Sequence, residues 1–158
     1  MSAPVHRVEP KLNMLNANAF DTIIDVRSPS EFLDDHMPTA INLPVLTDTQ
    51  RKSVGTIHTQ INPFEAKRVG AAFVAQNIAH HLQTELSEKD RKWRPLIYCW
   101  RGGHRSGAMA KIFSDIGWHS TVIDGGYKAY RKIVLNGLDY LPTELKLIVL
   151  SGATGTAK

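Results

Sequence analysis

Short apolar runs alternate along this chain with longer segments in which apolar residues recur at three- and four-residue steps. The continuous apolar runs predict short buried strands at residues 22–26, 40–44, 96–99 and 121–123. The periodic segments predict helices that start at Ser28 and run over residues 64–86, from the loop after Cys99 to Ile116, and from Tyr127 to Asn136. Because strands alternate with helices, we expect an α/β fold with a parallel sheet covered by helices on both faces.

Two of these helices have a clear apolar stripe that we expect to face the sheet. The stripe of the earlier helix consists of Met109, Ile112, Phe113 and Ile116, and that of the later helix consists of Tyr127, Tyr130 and Val134. Residues 45–63 show no clear period, so we expect a long loop there. Asn136-Gly137 predicts the end of the last helix.

The last residues resemble the beginning of a phosphate-binding loop. An apolar run at 146–150 leads into Gly152, Gly155 and Lys158, close to the pattern Gly-x4-Gly-Lys-Ser/Thr, although Ala157 replaces its second glycine. The alternative is an ordinary strand and loop. We expect one domain at residues 1–138, a linker at 139–145, and the truncated start of a P-loop domain at 146–158.

Composition excludes several classes of protein. The 158 residues are 42% hydrophobic and 22% charged, as in ordinary globular proteins, and the net charge of +4 permits a nucleic-acid partner. One cysteine excludes an internal disulfide and a thiolate-rich zinc site, and the seven histidines lack metal-ligand spacing, so we expect no metal. Neither a signal peptide nor a membrane span is evident, so we expect a cytoplasmic protein without membrane contact.

The only thiol begins the segment with the clearest chemistry. Cys99 ends a predicted strand and is followed by glycines, arginines and a predicted helix, which directs several backbone N–H groups at one point. Such a turn stabilises a thiolate or a bound anion, so we expect Cys99 to be the nucleophile. The expected anion-binding loop consists of Trp100, Arg101, Gly102, Gly103, His104, Arg105 and Ser106. A buried structural cysteine is the alternative.

Other turns should lie beside this loop, because the carboxyl ends of parallel strands share one sheet edge. Asp25 and Arg27 lie at one such turn, and Asp124, Gly125 and Gly126 form another. The spacing Cys-x5-Arg suits a cysteine phosphatase or a sulfurtransferase that carries a persulfide. A phosphatase usually also needs an acid for the leaving group. Asp25 and Asp124 are the candidates, although each also suits a structural role in its turn.

Several motifs resemble the rhodanese domain. Residues 24–32 and 36–44 resemble its opening signature, residues 121–127 resemble its closing signature, and Cys99 occupies the position of its persulfide cysteine. Thr39 replaces a usual glycine. The loop from Cys99 to Arg105 is one residue longer than the usual Cys-x4-Arg of simple sulfurtransferases.

The longer loop, with residues 54–56, 62–66, 98–107 and 124–131, resembles the tRNA 2-selenouridine synthases. This resemblance implies a rhodanese domain followed by a P-loop domain. It implies replacement of sulfur by selenium in the wobble 2-thiouridine of tRNA, with selenophosphate as donor and Cys99 handling the chalcogen. It also implies transfer of a geranyl group from geranyl diphosphate to that sulfur, without a tightly bound cofactor.

Basic residues on the last predicted helix are candidates for tRNA contacts. Lys128, Arg131 and Lys132 share its outer side, and with Arg101 and Arg105 they could hold tRNA phosphates. A solvated helix face explains the first three equally well. Two other functions remain open, namely an independent persulfide sulfurtransferase and a non-catalytic module that docks tRNA or a protein partner.

Overall fold

The computed structural model describes residues 2–14, 19–146, 148–149 and 151–155. Its strands are β1 (His6–Val8), β2 (Thr22–Asp25), β3 (Ile41–Asn42), β4 (Pro95–Tyr98) and β5 (Thr121–Ile123). Its helices are α1 (Pro29–Asp34), α2 (Asp48–Gln60), α3 (Pro63–Gln83), α4 (His104–Ile116) and α5 (Gly126–Glu144).

The strands form one parallel sheet in the order β1-β5-β4-β2-β3. The predicted α/β fold is therefore confirmed. Strand β1 was not predicted, because its three residues carry little apolar signal and remain largely exposed. It pairs with β5, with His6 opposite Thr121.

Each face of the sheet has its own apolar core, because side chains alternate along each strand. On one face, Ile24 and Ile97 pack with Ile78 of α3 and Phe113 of α4. On the other face, Leu96 packs with Met37, Ile123, Tyr127 and Tyr130, the last two from α5. Helices thus cover both faces, as expected.

The segment 45–63 was predicted as a loop, and this prediction was wrong. Helix α2 occupies most of it and buries none of its residues, so the apolar periodicity that identifies a core-facing helix is absent. Its start carried a detectable signal, since the Thr47 hydroxyl accepts from the Gln50 N–H and the Gln50 side chain accepts from the Thr47 N–H.

Two helix predictions need correction at their ends, and the apolar stripe predicted for α4, whose end at Ile116 is confirmed, needs correction at one residue. Helix α3 ends at Gln83, before the predicted residue 86, and Ile116 is 50% exposed rather than part of the α4 stripe. Helix α5 continues through Asn136 to Glu144, since Gly137 is buried within it, where an added Cβ would lie 2.9 Å from Leu12.

The strand predicted at 146–150 is absent from its described residues, where Ile148 is 91% exposed. Lys158 lies outside the described residues, and the division of the chain into 1–138, 139–145 and 146–158 stays a prediction. Within the part of the chain that the structure describes, no helix could cross a membrane, and no acidic, His and Cys side chains group in a way that could hold a metal.

Candidate active site

Cys99 lies directly after β4, at the start of the loop that leads into α4. Its residue is only 3% exposed, and its Sγ lies 3.2 Å from the Ser106 Oγ in the first turn of that helix. Burial raises the pKa of the Cys99 thiol. Hydrogen bonds from the Ser106 hydroxyl and from the backbone N–H groups of Ser106 and Arg101 outweigh this effect, as does the charge of Arg105, and the pKa lies below its usual value.

The turn at residues 124–126 holds this loop in place. The Tyr127 N–H donates to the Cys99 carbonyl at 2.9 Å, and the Lys128 N–H donates to the Trp100 carbonyl at 3.0 Å. Gly102 and Gly126 have φ of 65° and 60°. A Cβ on Gly126 would lie 2.2 Å from the Cys99 carbonyl oxygen, so the two turns approach closely only because glycine is there.

Arg105 is oriented by Glu31, which lies in the first turn of α1. Arg105 Nη1 donates to Glu31 Oε2 at 2.8 Å, and Arg51 of α2 lies 3.2 Å from the same oxygen. Burial raises the pKa of Glu31, but the hydrogen bond and charge of Arg105, the Ser28 N–H and the charge of Arg51 outweigh it and lower the pKa. Glu31 therefore remains a carboxylate that positions two arginines.

Asp25 and Arg27 form a buried ion pair at the end of β2. Asp25 is 0% and Arg27 2% exposed, and Arg27 donates to the Asp25 carboxylate through Nη2 at 2.6 Å and through Nε at 2.9 Å. The guanidinium also lies over the Tyr127 ring, with its carbon 4.1 Å from the ring centre. Arg27 thus joins the end of β2 to α5, and Asp25 accepts its hydrogen bonds rather than being placed as a proton donor.

Asp124 is paired with a residue of the unpredicted strand. Arg7 Nη1 donates to Asp124 Oδ1 at 2.9 Å and to the Gly102 carbonyl at 3.3 Å. Arg7 therefore ties β1 to the anion loop. The sequence offered no signal for this contact, because 95 residues separate Arg7 from Gly102.

The remaining predicted site residues lie near the loop or in the tail. Arg101, Gly103 and His104 are exposed, Trp100 contacts the Tyr127 ring, and Gly125 is the N-cap of α5 with φ of 69°. Lys128, Arg131 and Lys132 are exposed on α5, as predicted. Gly152 and Gly155 are exposed in the tail, and Gly155 has φ of 88°.

An apolar groove of about 550 Å³ opens between α2, α3 and α4, next to the anion loop. Small side chains shape much of its wall, and His104 and Arg105 lie among its lining residues. The apolar lining residues include Val54, Ala66, Ala71, Val74, Ala108 and Ile112.

A thiol with a lowered pKa, facing N–H donors at the start of a helix, can attack an electrophilic sulfur, selenium or phosphorus centre. The model of the rhodanese-like domain matches residues 9–133. The chain belongs to the rhodanese-like domain family. That assignment agrees with the order of strands and with the position of Cys99 directly after β4.

Similar curated proteins share one name. The tRNA 2-selenouridine synthase of Nitrosomonas europaea is 36% identical over 137 residues, which cover 86% of this chain and 36% of that protein. The tRNA 2-selenouridine synthase of Psychromonas ingrahamii is 35% identical over 136 residues, which cover 86% of this chain and 37% of that protein. The chain thus spans little more than a third of the length of these relatives.

Solved structures give the same fold. The N-terminal domain of a Clostridium difficile 630 protein, described as ATP/GTP-binding, is similar with a TM-score of 0.65 and 34% identity, over 84% of this chain and 99% of that one. A rhodanese-related protein of Thermoplasma volcanium has a TM-score of 0.51 and 17% identity, over 80% of this chain and 91% of that one, and supports the fold alone.

Proposed function

We propose that this chain is the rhodanese-like domain of a tRNA 2-selenouridine synthase, a transferase in which Cys99 is the nucleophile toward the selenium donor. The observation that carries the proposal is the activated thiol, since the N–H groups of Arg101 and Ser106 and the charge of Arg105 all favour the thiolate. The shared name of the curated relatives supports the choice of reaction.

In the proposed reaction, selenophosphate supplies the selenium that replaces sulfur in a wobble 2-thiouridine. The tRNA would approach the sheet edge where Arg101 is exposed and where the exposed Lys128, Arg131 and Lys132 begin α5. Their charges suit phosphate contacts that weaken as salt rises. The proposal includes a cytoplasmic location, where tRNA is modified.

The proposal also includes geranyl diphosphate as a second substrate. The groove beside the loop supports a place for the geranyl chain, since its lining is largely apolar and its volume is about 550 Å³. Arg105 at its edge would attract the diphosphate. Gly152, Gly155 and Lys158 belong to this proposal as the start of a P-loop that would bind a second phosphate group.

The test is to incubate a full-length synthase that contains this chain with selenophosphate and tRNA that contains 2-thiouridine, then digest the tRNA and weigh its nucleosides. We expect 2-selenouridine to form with the wild-type sequence and to be absent with Cys99→Ser, because a serine hydroxyl is a far poorer nucleophile at neutral pH. Residues 1–158 alone should react with selenophosphate through Cys99 without completing the exchange in tRNA. Circular dichroism of both proteins checks that the fold is retained. Equal yields of 2-selenouridine from both would refute the role of Cys99.

An independent persulfide sulfurtransferase is the second candidate, and membership of the rhodanese-like family favours it. Its signature would be sulfur transfer from thiosulfate through Cys99 to a small thiol acceptor, without any selenium entering tRNA. The same two proteins, given thiosulfate and the acceptor, distinguish these functions.

A further inference from the structure

We infer that Cys99 attacks the phosphorus of selenophosphate rather than its selenium, so that the loop acts as a phosphoryl cradle and releases hydroselenide. This inference rests on the proposed function and specifies which bond of the donor breaks. Three points support it: the length and composition of the loop, the oxidation states of the reacting atoms, and the partners of the nearby carboxylates.

The loop has the composition of a phosphate cradle. Five residues separate Cys99 from Arg105, and the Ser106 hydroxyl oxygen lies 3.2 Å from the thiol sulfur. The backbone N–H groups of Arg101 and Ser106 and the charge of Arg105 also lower the pKa of this thiol. Behind them stands α4, a helix of 13 residues whose first turn contains Ser106. Backbone N–H groups, a helix N-terminus and an arginine together suit the tetrahedral oxygens of a phosphoryl group better than a single chalcogen atom.

Attack at phosphorus balances without any redox partner. The Cys99 thiolate forms an Sγ–P bond with hydrogen selenophosphate, the P–Se bond breaks, and its electron pair leaves on selenium as hydroselenide, with the proton that selenium already carries. Water then attacks phosphorus, the Sγ–P bond breaks with its electron pair returning to sulfur, and phosphate leaves while a proton passes to solvent. Phosphorus, sulfur and selenium all keep their oxidation states.

Attack at selenium, in contrast, would change oxidation states and would need a redox partner. It would form an Sγ–Se bond and expel phosphorus with the electron pair of the P–Se bond, so phosphorus would leave as phosphite. The sulfur and selenium of the new bond would be oxidised relative to a thiolate and a selenide. A thiol would then be needed to reduce the selenium again. Exchange of sulfur for selenium in 2-thiouridine is itself redox-neutral, and hydroselenide has the oxidation state that it requires.

The carboxylates near the loop explain why this leaving group suits the site. Glu31 accepts from Arg105 at 2.8 Å, Asp25 from Arg27 at 2.6 Å, and Asp124 from Arg7 at 2.9 Å. Each carboxylate therefore acts as an acceptor for a guanidinium and is poorly placed to donate a proton. An alkoxide leaving from a phosphate ester needs such a proton. Hydroselenide does not, because hydrogen selenide is a much stronger acid than an alcohol.

The test gives the chain selenophosphate, quenches by rapid denaturation, and combines intact mass with phosphorus NMR of the solution. A phosphoryl group and a selenium atom add nearly the same mass, but selenium reveals itself by its broad isotope pattern. A parallel reaction with thiophosphate separates the two adducts by mass alone, since sulfur is much lighter than a phosphoryl group. Cys99→Ala is the control, because a serine could itself accept phosphoryl.

We expect a phosphoryl adduct on Cys99, with phosphate and hydroselenide released only by the protein that retains this thiol. A selenium isotope pattern on Cys99, or phosphite in solution, would overturn the inference and leave the proposed nucleophile intact. Equal donor breakdown by the wild-type protein and Cys99→Ala would overturn both the inference and the proposed role of Cys99.

Discussion

The close approach of the two glycine turns predicts that Gly126→Ala destabilises the protein and the thiolate together. The new Cβ would lie 2.2 Å from the Cys99 carbonyl oxygen and 2.4 Å from the Gly102 nitrogen, so the turns must separate by about an ångström to reach ordinary contact. That movement stretches the bonds from the Tyr127 and Lys128 N–H groups to the loop, which measure 2.9 and 3.0 Å.

The size of the effect follows from two contributions. An alanine at a φ of 60° costs about 1–2 kcal/mol, because its Cβ approaches its own backbone. Each weakened backbone hydrogen bond costs about 1 kcal/mol or more when its partner remains buried. We therefore expect a loss of about 4 kcal/mol, which corresponds to roughly 8–16 °C in melting temperature for a chain of this size.

Urea denaturation of the wild type, Gly126→Ala and a matched control, Gly107→Ala, measures this loss. Gly107 lies in α4, and an added Cβ there has no atom within 4 Å, so its replacement should be neutral or stabilise by up to about 1 kcal/mol. A loss below about 1 kcal/mol for Gly126→Ala would refute the inference that this glycine is needed for the contact between the turns.

Three further predictions concern the charges around the loop. Asp25→Asn leaves Arg27 buried without its counter-ion, so we expect a loss of about 3–5 kcal/mol in urea denaturation, and a loss below about 1 kcal/mol would contradict the ion pair. Glu31→Gln removes the carboxylate that offsets the charge of Arg105, so the pKa of the Cys99 thiol should fall further. Turnover of the selenium donor should also fall, because Arg105 is no longer oriented. An unchanged thiol pKa together with an unchanged turnover would contradict the positioning role of Glu31. The Cys99 thiol has a lowered pKa in the folded protein, so the free energy of unfolding of the wild type relative to Cys99→Ser should rise with pH. The rise should run from the folded pKa to the pKa of the unfolded chain, about 8.5, and the difference should stay level outside this window. A difference that falls with pH would contradict the lowered pKa.

The sequence allowed the centre of the site to be predicted because its geometry follows from the parallel sheet. Cys99 and the turn at 124–126 follow neighbouring strands β4 and β5, whose carboxyl ends share one edge. The hydrogen bond from Tyr127 to Cys99 shows that these turns meet as expected. The lysines and arginine of α5 were placed correctly for a similar reason, since their spacing fixes one helix face.

The residues that orient Arg105 could not be predicted, because no local pattern encodes them. Glu31 satisfies a capping box with Ser28, and this local role fully accounts for its position in the sequence. Its bond to Arg105 spans 74 residues. Arg51 was missed for a different reason: it belongs to α2, a helix whose residues all remain at least partly exposed and which therefore lacks an apolar stripe.

The loop between β4 and α4 lowers the pKa of the Cys99 thiol and thereby makes it the nucleophile of the proposed reaction. Thiolate absorbance, measured against pH as the difference between the wild type and Cys99→Ser, reports this one group, because the chain has a single cysteine. Burial raises the pKa of Tyr98 and of Tyr127, which keeps these phenols out of the titration. The loop geometry predicts a midpoint below the pKa of an unperturbed cysteine thiol. A midpoint at or above that value would show that burial outweighs the hydrogen bonds of the loop and that Cys99 is not activated.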